Sequence, residues 1–317
     1  MTTLLFILLA VIGVVAVILL GLVVYSWFKK WQAERTVPAR GAFVEISTGK
    51  MHYLTRGTGP DILMIHGLGG QMGNFDCGLM DDLCRDHRVT IIDRPGMGYS
   101  ERPFGTPTNV LAQTAQIEEF VEKLGLERPL VVGHSLGGAM SLGMALRGRT
   151  TLRGLALLAP YTLPIEDAPE AFEGLAFKWD WLRRFMGWTF AIPTMISRPE
   201  PVRELIFGPE DIPPGYYVQG GGMLSLRPGH FIETSRDLAR ADEDIAAMVR
   251  QYHKLTVPIR ILYGTQDRIL DHEYHGVSLV SRYPQMGLEL IDGGHMIPVT
   301  RPEVCAQFIR RASEAMA

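Results

Sequence analysis

Hydrophobic residues are unevenly distributed along the chain, and the first long run of them contains no charge. This run extends from Leu4 to Phe28 and comprises 25 residues. At about 1.5 Å per residue, a helix of this length reaches about 37 Å, enough to cross a hydrocarbon core of about 30 Å. Aromatic and cationic residues, which suit a membrane–water interface, are mixed at its end: Tyr25, Trp27, Lys29, Lys30 and Trp31. The pattern predicts one transmembrane helix at residues 4–28.

A cleaved signal peptide is the alternative interpretation of this segment. Such a peptide has a basic start, an apolar core of about 7–15 residues and a small-residue cleavage site. Here Met1-Thr2-Thr3 carries no basic side chain, the apolar run is longer, and large residues follow it. We therefore expect an uncleaved anchor in the cell membrane. Basic residues after the span favour a cytoplasmic body, but the three-residue tail before it leaves the side of the membrane open.

After a juxtamembrane stretch that ends near Pro38, apolar runs and helical patterns alternate. Eight runs have the length and composition of strands. They are Phe43–Ile46, Met51–Thr55, Ile62–Ile65, Val89–Ile92, Leu130–Val132, Leu155–Leu158, Ile259–Tyr263 and Leu288–Ile291. Helices are predicted at Val110–Leu124, which Gly125 ends, at Leu136–Leu146 and at Pro302–Ala315. Alternating strands and helices indicate an α/β protein with a mostly parallel sheet and helices on both faces.

One segment, between about Tyr161 and Thr256, lacks a strand rhythm and is rich in Trp, Phe and Pro. Nearly a hundred residues are too many for a structureless loop. An inserted, mostly helical cap over the sheet is the simpler interpretation. We therefore divide the chain into an anchor and juxtamembrane segment (1–40), a catalytic core (41–160 and 257–317) and a helical cap or lid (161–256).

The overall composition narrows the class of protein. Of 317 residues, 47% are hydrophobic and 21% charged, so there is ample apolar surface to bury and disorder is excluded for most of the chain. The net charge of −3, without a basic cluster, gives no support for a nucleic-acid partner. Three cysteines, Cys77, Cys84 and Cys305, form no Cys-x-x-Cys pair, which argues against a disulfide framework or a metal site.

The strongest chemical motif is Gly133-His134-Ser135-Leu136-Gly137, which follows the apolar run Leu130–Val132 and opens a predicted helix. In a strand–turn–helix context this Gly-x-Ser-x-Gly pattern exposes the serine at the carboxyl edge of a sheet. The glycines relieve crowding at the sharp turn. We therefore predict Ser135 to be a catalytic nucleophile.

A serine nucleophile needs a base, and the base needs an acid to hold it. His295 follows the last predicted strand and is the favoured base, whereas four other histidines do not directly follow a strand end: His230, His253, His272 and His275. Asp267, directly after the strand Ile259–Tyr263, is the favoured acid. Asp271 is a rival that is better placed to cap the next helix, and Asp292 shares a turn with His295.

Developing negative charge on the carbonyl oxygen needs fixed hydrogen-bond donors. The segment His66-Gly67-Leu68-Gly69-Gly70 follows the strand Ile62–Ile65, and its glycines allow close backbone approach to a substrate. We predict the backbone N–H groups of Leu68 and Leu136 to form the oxyanion hole. His66 is interpreted as a structural hydrogen-bonding residue rather than a base.

Together these residues resemble the α/β-hydrolase fold superfamily over about Phe43 to Ala317. The resemblance rests on the His-Gly segment, the turn Asp93–Ser100, the nucleophile motif, and the late Asp and His. With its N-terminal span, the chain is similar to membrane-anchored bacterial lipases and phospholipases A and to the anchored monoacylglycerol lipases of animals. The resemblance implies hydrolysis of a carboxylic ester through an acyl-enzyme, without a cofactor.

Three functional hypotheses follow from these features. The anchor and the apolar cap favour an ester of an acyl-chain lipid as the substrate, cleaved at a membrane. The alternative is an anchored esterase or C–C hydrolase acting on a small soluble metabolite, since some relatives with a serine nucleophile cleave C–C bonds. Ser135 argues against haloalkane dehalogenases and epoxide hydrolases, which have an Asp nucleophile at this position. The third is an inactive binding protein, which the complete set of catalytic residues disfavours. A homodimer through the N-terminal helix is a further hypothesis. Its glycines, Gly13 and Gly21, are eight residues apart and do not form the Gly-xxx-Gly motif of helix pairs in membranes.

Overall fold

The structure is a computed structural model that describes residues 2–165 and 170–316. Its strands are β1 (Ala42–Ile46), β2 (Gly49–Arg56), β3 (Asp61–Ile65), β4 (Arg88–Ile92), β5 (Leu130–His134), β6 (Gly154–Leu158), β7 (Ile259–Gly264) and β8 (Met286–Ile291). They form one sheet in the order β1-β2-β4-β3-β5-β6-β7-β8. Strand β2 is antiparallel to both of its neighbours, and every other pair is parallel. The predicted mostly parallel, eight-stranded sheet is confirmed.

The central strands explain why the sheet could be predicted from apolar runs. Every residue of β3, β5 and β6 is buried. Parallel strands are covered by helices on both faces, so their sequences are continuously apolar rather than alternating. The observed strands extend the predicted ones by at most two residues at an end, mostly into polar or glycine positions.

Twelve α-helices lie in the described part of the chain. They are α1 (Thr2–Thr36), α2 (Leu79–Leu83), α3 (Val110–Leu124), α4 (Leu136–Arg147), α5 (Asp180–Met186), α6 (Ile192–Ser197), α7 (Glu200–Phe207), α8 (Pro228–Leu238), α9 (Ile245–Val249), α10 (Ser278–Arg282), α11 (Ile297–Thr300) and α12 (Pro302–Ala315). Helices α3 and α12 have the predicted bounds, and α4 is one residue longer. Helix α3 ends because Gly125 adopts a left-handed conformation, φ +65°, at its C-cap. Helices pack on both faces of the sheet, where α3 pairs with α4 and α2 with α12.

We use the name cap for residues 161–256, the segment between β6 and β7. Its described part contains helices α5–α9 and no strand. Phe231 and Ile232 of α8 are buried against Ala191, and Phe177 and Trp188 pack around them as a small core. Five other cap aromatics are exposed: Trp179, Trp181, Phe185, Phe190 and Tyr217. The aromatic residues of the cap therefore divide between an internal core and the surface.

Helix α1 continues past the predicted span and makes tertiary contacts there. It is 35 residues long, about 52 Å at about 1.5 Å per residue. Its first part is exposed and is apolar enough to cross a membrane. Ser26 and Ala33, in contrast, are fully buried, and this part of α1 packs against α6, α8 and the turns 187–191 and 222–226. The C-terminal part of α1 is therefore packed against the cap.

This packing predicts that one substitution destabilises the protein at one place on α1 and has no effect at another. We expect Ala33→Leu to destabilise the protein by about 1–3 kcal/mol, because added methyl groups overpack a fully buried position. In detergent, the midpoint of thermal unfolding should fall by a few degrees. Ala16→Leu, on the exposed part of the same helix, is the matched control and should leave the midpoint unchanged. Equal midpoints for the two variants would contradict packing of α1 on the cap.

Candidate active site

Ser135 occupies a strained turn between β5 and α4. Its backbone has φ +52° and ψ −121°, a conformation that non-glycine residues rarely adopt. The turn is held by hydrogen bonds on both sides of the residue. The Ser135 N–H donates to the Leu158 carbonyl at 3.1 Å, and the Ser135 carbonyl accepts from the Tyr161 N–H at 3.0 Å. Ser135 is thereby fixed at the carboxyl edge of the sheet, directly before the N-terminus of α4.

Two glycines of the motif are required by close backbone approach. A Cβ atom on Gly137 would overlap the Ile65 carbonyl oxygen and lie 2.7 Å from that of His66. A Cβ atom on Gly133 would lie 2.6 Å from the Gly137 carbonyl oxygen. Because these neighbours are backbone atoms, they cannot rotate away as side chains can. The turn thus has room only for glycine at positions 133 and 137, two residues before and two residues after Ser135.

The loops after β7 and β8 bring Asp267 and His295 into contact. Asp267 Oδ2 lies 2.7 Å from His295 Nδ1, and Asp267 Oδ1 accepts from the backbone N–H groups of Ile269 and Leu270 at 2.8 and 2.9 Å. Burial raises the pKa of Asp267, but His295 and the two N–H groups outweigh it, so this pKa is lower than usual. The carboxylate stays ionised and favours the His295 tautomer that carries a proton on Nδ1, leaving Nε2 free as a base.

Ser135 and His295 both line a cavity of about 820 Å³ beneath the cap. No hydrogen bond between their side chains is present among the described residues, and such bonds often form only once a substrate is bound. The backbone of His295 is held by His134, whose Nε2 donates to the His295 carbonyl oxygen at 3.0 Å. The residue before the predicted nucleophile therefore positions the predicted base.

Leu68 and Leu136 line the same cavity. In the described part of the chain, neither of their backbone N–H groups donates to a protein acceptor. The segment that contains Leu68 passes against the nucleophile, since a Cβ atom on Gly67 would lie 2.8 Å from Ser135 Cβ. Two unused donors therefore lie on two elements beside Ser135, and their role as an oxyanion hole stays a prediction.

A family model described as alpha/beta hydrolase fold matches residues 60–302, which contain all of these positions. The match spans more than half of the chain and agrees with the sheet order and the elbow at Ser135. The chain belongs to the α/β-hydrolase family.

Two sequence relatives and one solved structure are similar to this chain. Haloalkane dehalogenase 2 of Mycobacterium tuberculosis is 34% identical over 128 residues, which are 38% of this chain and 42% of that protein, so the chain spans less than half of it. The 2-hydroxy-6-oxo-2,4-heptadienoate hydrolase of Pseudomonas putida is 27% identical over 222 residues, covering 68% of this chain and 75% of that protein. The crystal structure of a bacterial membrane phospholipase A covers 100% of this chain and 99% of its own, with a TM-score of 0.62 and 20% identity. That last likeness concerns the fold.

The rival residues take other positions in this α/β hydrolase. Asp271 accepts a hydrogen bond from the Glu273 N–H at 2.9 Å, as expected of a capping residue. Asp292 and His253 are exposed, and His272 lies near the surface beside Asp271 and Glu273. His275 is buried beside Thr162. None of these side chains hydrogen-bonds to Ser135 or His295 in the described part of the chain.

His66 has the structural role that the sequence predicts for it. Its Nδ1 donates to the Gly67 carbonyl at 2.9 Å, and its Nε2 accepts from the Arg94 N–H at 3.0 Å. Burial, with the nearby Arg94 charge, holds the pKa of His66 well below its ordinary value. A neutral histidine with both ring nitrogens in use cannot act as a general base.

Sequence reasoning did not assign two residues to the site: one was missed, and the other was considered only as a rival base. His134 is one, although its place next to the predicted nucleophile was a usable signal. The other is His230 of α8, which lines the cavity near Gly69 and is 7% exposed. Burial is the main cause that lowers the pKa of His230 to about 4, and it lowers the pKa of His134 to about 3. No sequence signal placed His230 there, because its position depends on how the cap packs.

These neutral histidines predict a loss of stability in mild acid. Burial also lowers the pKa of His275 to about 4, whereas an unfolded histidine has a pKa near 6.5. Below about pH 6.5 the unfolded chain therefore binds more protons than the folded one, and stability falls as the pH drops towards 4. For His275 alone, the loss between neutral pH and pH 5 is about 2 kcal/mol.

Replacing His275 with Gln should remove this contribution. The free energy of unfolding, measured by denaturant titration in detergent, should fall less between pH 8 and pH 5 in His275→Gln than in the wild type, by about 2 kcal/mol. Parallel pH dependence of the two proteins would show that His275 does not stay neutral in the fold.

Proposed function

We propose that this α/β hydrolase is a serine hydrolase that cleaves carboxylic esters of acyl-chain lipids through an acyl-enzyme. The contact that carries the proposal is the 2.7 Å pair between His295 Nδ1 and Asp267 Oδ2 in the cavity that Ser135 lines. An ionised carboxylate behind an imidazole, next to a serine on a strained turn, is the arrangement that activates a hydroxyl for acyl transfer.

The reaction follows from the roles of these groups. Ser135 Oγ attacks the ester carbonyl while His295 Nε2 takes its proton, and Asp267 stabilises the resulting imidazolium. The N–H groups of Leu68 and Leu136 bind the oxyanion of the tetrahedral intermediate. Collapse of the intermediate breaks the bond to the alcohol, which leaves with the proton from His295. Water then attacks the acyl-enzyme with the same general base and releases the carboxylic acid and free Ser135.

The nucleophile separates this proposal from the activity named for the mycobacterial relative. In this superfamily, dehalogenases form their covalent intermediate with an Asp carboxylate at the elbow, and this chain has Ser135 there. A C–C hydrolase remains the second candidate, because the Pseudomonas putida hydrolase aligns with 68% of the chain. The two candidates share the nucleophile and differ in the substrate.

The cavity favours a long apolar substituent. Its wall away from the triad is formed largely by aliphatic and aromatic side chains of the cap, among them Leu175, Phe177, Met186, Phe231 and Leu238. Pockets of about 300–1,000 Å³ hold small-molecule ligands, and this one measures about 820 Å³. An acyl chain in this cavity would gain about 25 cal/mol of binding free energy for each Å² of apolar surface that it buries, and it would leave no polar group unpaired.

The mouth of the cavity favours a substrate delivered from a membrane. Phe190, Ile196, Val202 and Tyr217 line the cavity and are also exposed to the outside, 38–51% for each side chain. Helix α6, which carries Ile196, packs against α1. If α1 spans the bilayer, the apolar mouth lies close to the lipid, and an acyl chain can enter with little contact with water. The side of the membrane and self-association through α1 stay hypotheses.

Removing the Ser135 hydroxyl tests the proposed mechanism. Ser135→Ala should lose ester hydrolysis and labelling by a fluorophosphonate probe, because alanine has no hydroxyl at the strained turn beside the unused donors. Ser225→Ala is the matched control, since Ser225 lines the same cavity and its Oγ donates to the Gly222 carbonyl. We expect its turnover to stay within about threefold of the wild type. Turnover retained by folded Ser135→Ala would overturn the mechanism.

A charge at the mouth of the cavity distinguishes a membrane lipid from a soluble substrate. Ile196→Glu places a charge at the apolar mouth and should lower hydrolysis of lysophospholipid in vesicles by about tenfold or more. Hydrolysis of p-nitrophenyl butyrate, which enters from water, should change less than about threefold.

Leu290→Glu serves as the control for this pair of assays. Leu290 on the edge strand β8 is exposed to a similar degree but does not line the cavity, so both activities should persist. Equal losses on the two substrates in Ile196→Glu, or activity confined to short esters and C–C substrates in the wild type, would exclude membrane lipids as the substrate.

A further inference from the structure

A cluster of four side chains lies fully buried where the cap meets the core. Its members are Arg94, Arg102, Gln113 and Asp237. Charged groups removed from water are strongly destabilising unless they are paired and hydrogen-bonded. Here the Asp237 carboxylate pairs with both guanidinium groups through their Nη atoms, while the Nε atoms of both arginines are buried without a hydrogen-bond partner in the described structure. The contacts of the cluster indicate what it holds in place.

Asp237, on cap helix α8, is the centre of the cluster. Its Oδ2 accepts from Arg94 Nη1 at 2.8 Å and its Oδ1 from Arg102 Nη1 at 2.7 Å. Gln113 Oε1, from α3, accepts from both arginines at 2.8 and 3.0 Å. Arg102 also donates to Glu233 at 2.9 Å. The two arginines thus have similar burial and share two acceptors.

Only one of the two arginines also hydrogen-bonds to the segment beside Ser135. Arg94 Nη2 donates to the Gly67 carbonyl at 2.8 Å, and the Arg94 backbone N–H donates to His66 Nε2 at 3.0 Å. The contacts of Arg102 in the described structure are with Glu233, Asp237 and Gln113. Arg94 therefore links cap helix α8 to the segment after β3, and Arg102 does not.

The Gly67 carbonyl and the Leu68 N–H belong to one peptide group. A peptide is planar, so the direction of its carbonyl determines the direction of its N–H, which points the opposite way in the trans form. The Gly67 oxygen accepts from His66 Nδ1, from Arg94 Nη2 and from the Gly70 N–H, the last at 3.2 Å. A rotation of this peptide that turned the Leu68 N–H away from the cavity would break these hydrogen bonds, and the one from Arg94 is the one that connects the peptide to the cap.

We propose that Arg94 is a positioning residue that orients the Leu68 N–H of the oxyanion hole, and that Asp237 of the cap holds Arg94 for this purpose. The inference rests on the proposed function, in which Leu68 is an oxyanion donor. The cap then contributes to catalysis itself, besides forming the wall of the cavity.

Arg94→Lys tests the proposal with little change in charge. A lysine ammonium lacks the planar fork of guanidinium and cannot reach Asp237, Gln113 and Gly67 together. We expect kcat for p-nitrophenyl butyrate to fall by about 10- to 100-fold, since loss of one oxyanion donor lowers kcat by about 10²–10³, and KM to change less than about threefold. Arg102→Lys, with the same burial and shared acceptors, should leave kcat within about threefold.

A sulfur substrate separates orientation of the donor from general damage. Sulfur is a weak hydrogen-bond acceptor, so a thionoester gains less from the oxyanion hole than the oxygen ester does. The ratio of oxygen-ester to thionoester turnover should therefore fall in Arg94→Lys and stay at the wild-type value in Arg102→Lys. Asp237→Asn removes a charge that holds Arg94 and should also lower this ratio. It replaces Arg94→Lys as the test variant if Arg94→Lys does not fold.

Hydrogen exchange supplies a readout that does not depend on turnover. Amide exchange of the peptide covering residues 66–70 should accelerate in Arg94→Lys and Asp237→Asn and not in Arg102→Lys. Parallel loss of kcat in the two Lys variants, an unchanged oxygen-to-sulfur ratio, or unchanged exchange at 66–70 would overturn the inference. If the wild type hydrolyses no ester while the exchange result holds, the proposed function fails and the positioning of the peptide stands.

Discussion

The turn at Ser135 is the constraint on which the arrangement of the site depends. Its positive φ is destabilising for a residue with a side chain, by about 1–3 kcal/mol. The conformation persists because hydrogen bonds from the end of β6 and from the segment directly after it hold the Ser135 peptide groups, and because glycines let β3 and α4 approach. The same approach brings the segment after β3 into contact with the serine side chain. The strained backbone of Ser135 and the unused donors beside it are therefore consequences of one packing arrangement.

The sheet order brings the remaining groups to this point. Ser135 follows β5, the candidate oxyanion segment follows β3, and Asp267 and His295 follow β7 and β8. Parallel strands end at the same edge, so residues 28 to more than 200 positions apart in the chain converge there. Burial then differentiates the histidines of this region. It keeps His66 and His134 neutral and structural, whereas the Asp267 carboxylate beside His295 can stabilise a positive charge on that ring.

The sequence predicted those features that local patterns determine. Fully buried parallel strands have continuous apolar sequences, and Gly125 marks the end of α3, so the core elements were predicted within a few residues. Ser135 could be recognised because its motif lies between a strand and a helix. The cap could not be read in the same way, because its helices are mostly five to eleven residues long and are stabilised by one another. The pairing of Arg94 with Asp237 joins residues 143 positions apart, and no local pattern indicates it.

The cap therefore links functions that usually reside in separate elements. Its helix α8 places Phe231 and Leu238 in the cavity wall and Asp237 against Arg94, and the same helix packs against α1. A shift of α8 would alter the shape of the cavity and the environment of the Gly67 peptide together, because α8 is too short to bend between these contacts. Access to substrate, fit of the substrate and the geometry beside the nucleophile are consequently coupled through one helix. This coupling gives the buried Arg–Asp pair a role that an apolar contact of equal volume could not fill, since only directional hydrogen bonds can orient a peptide group.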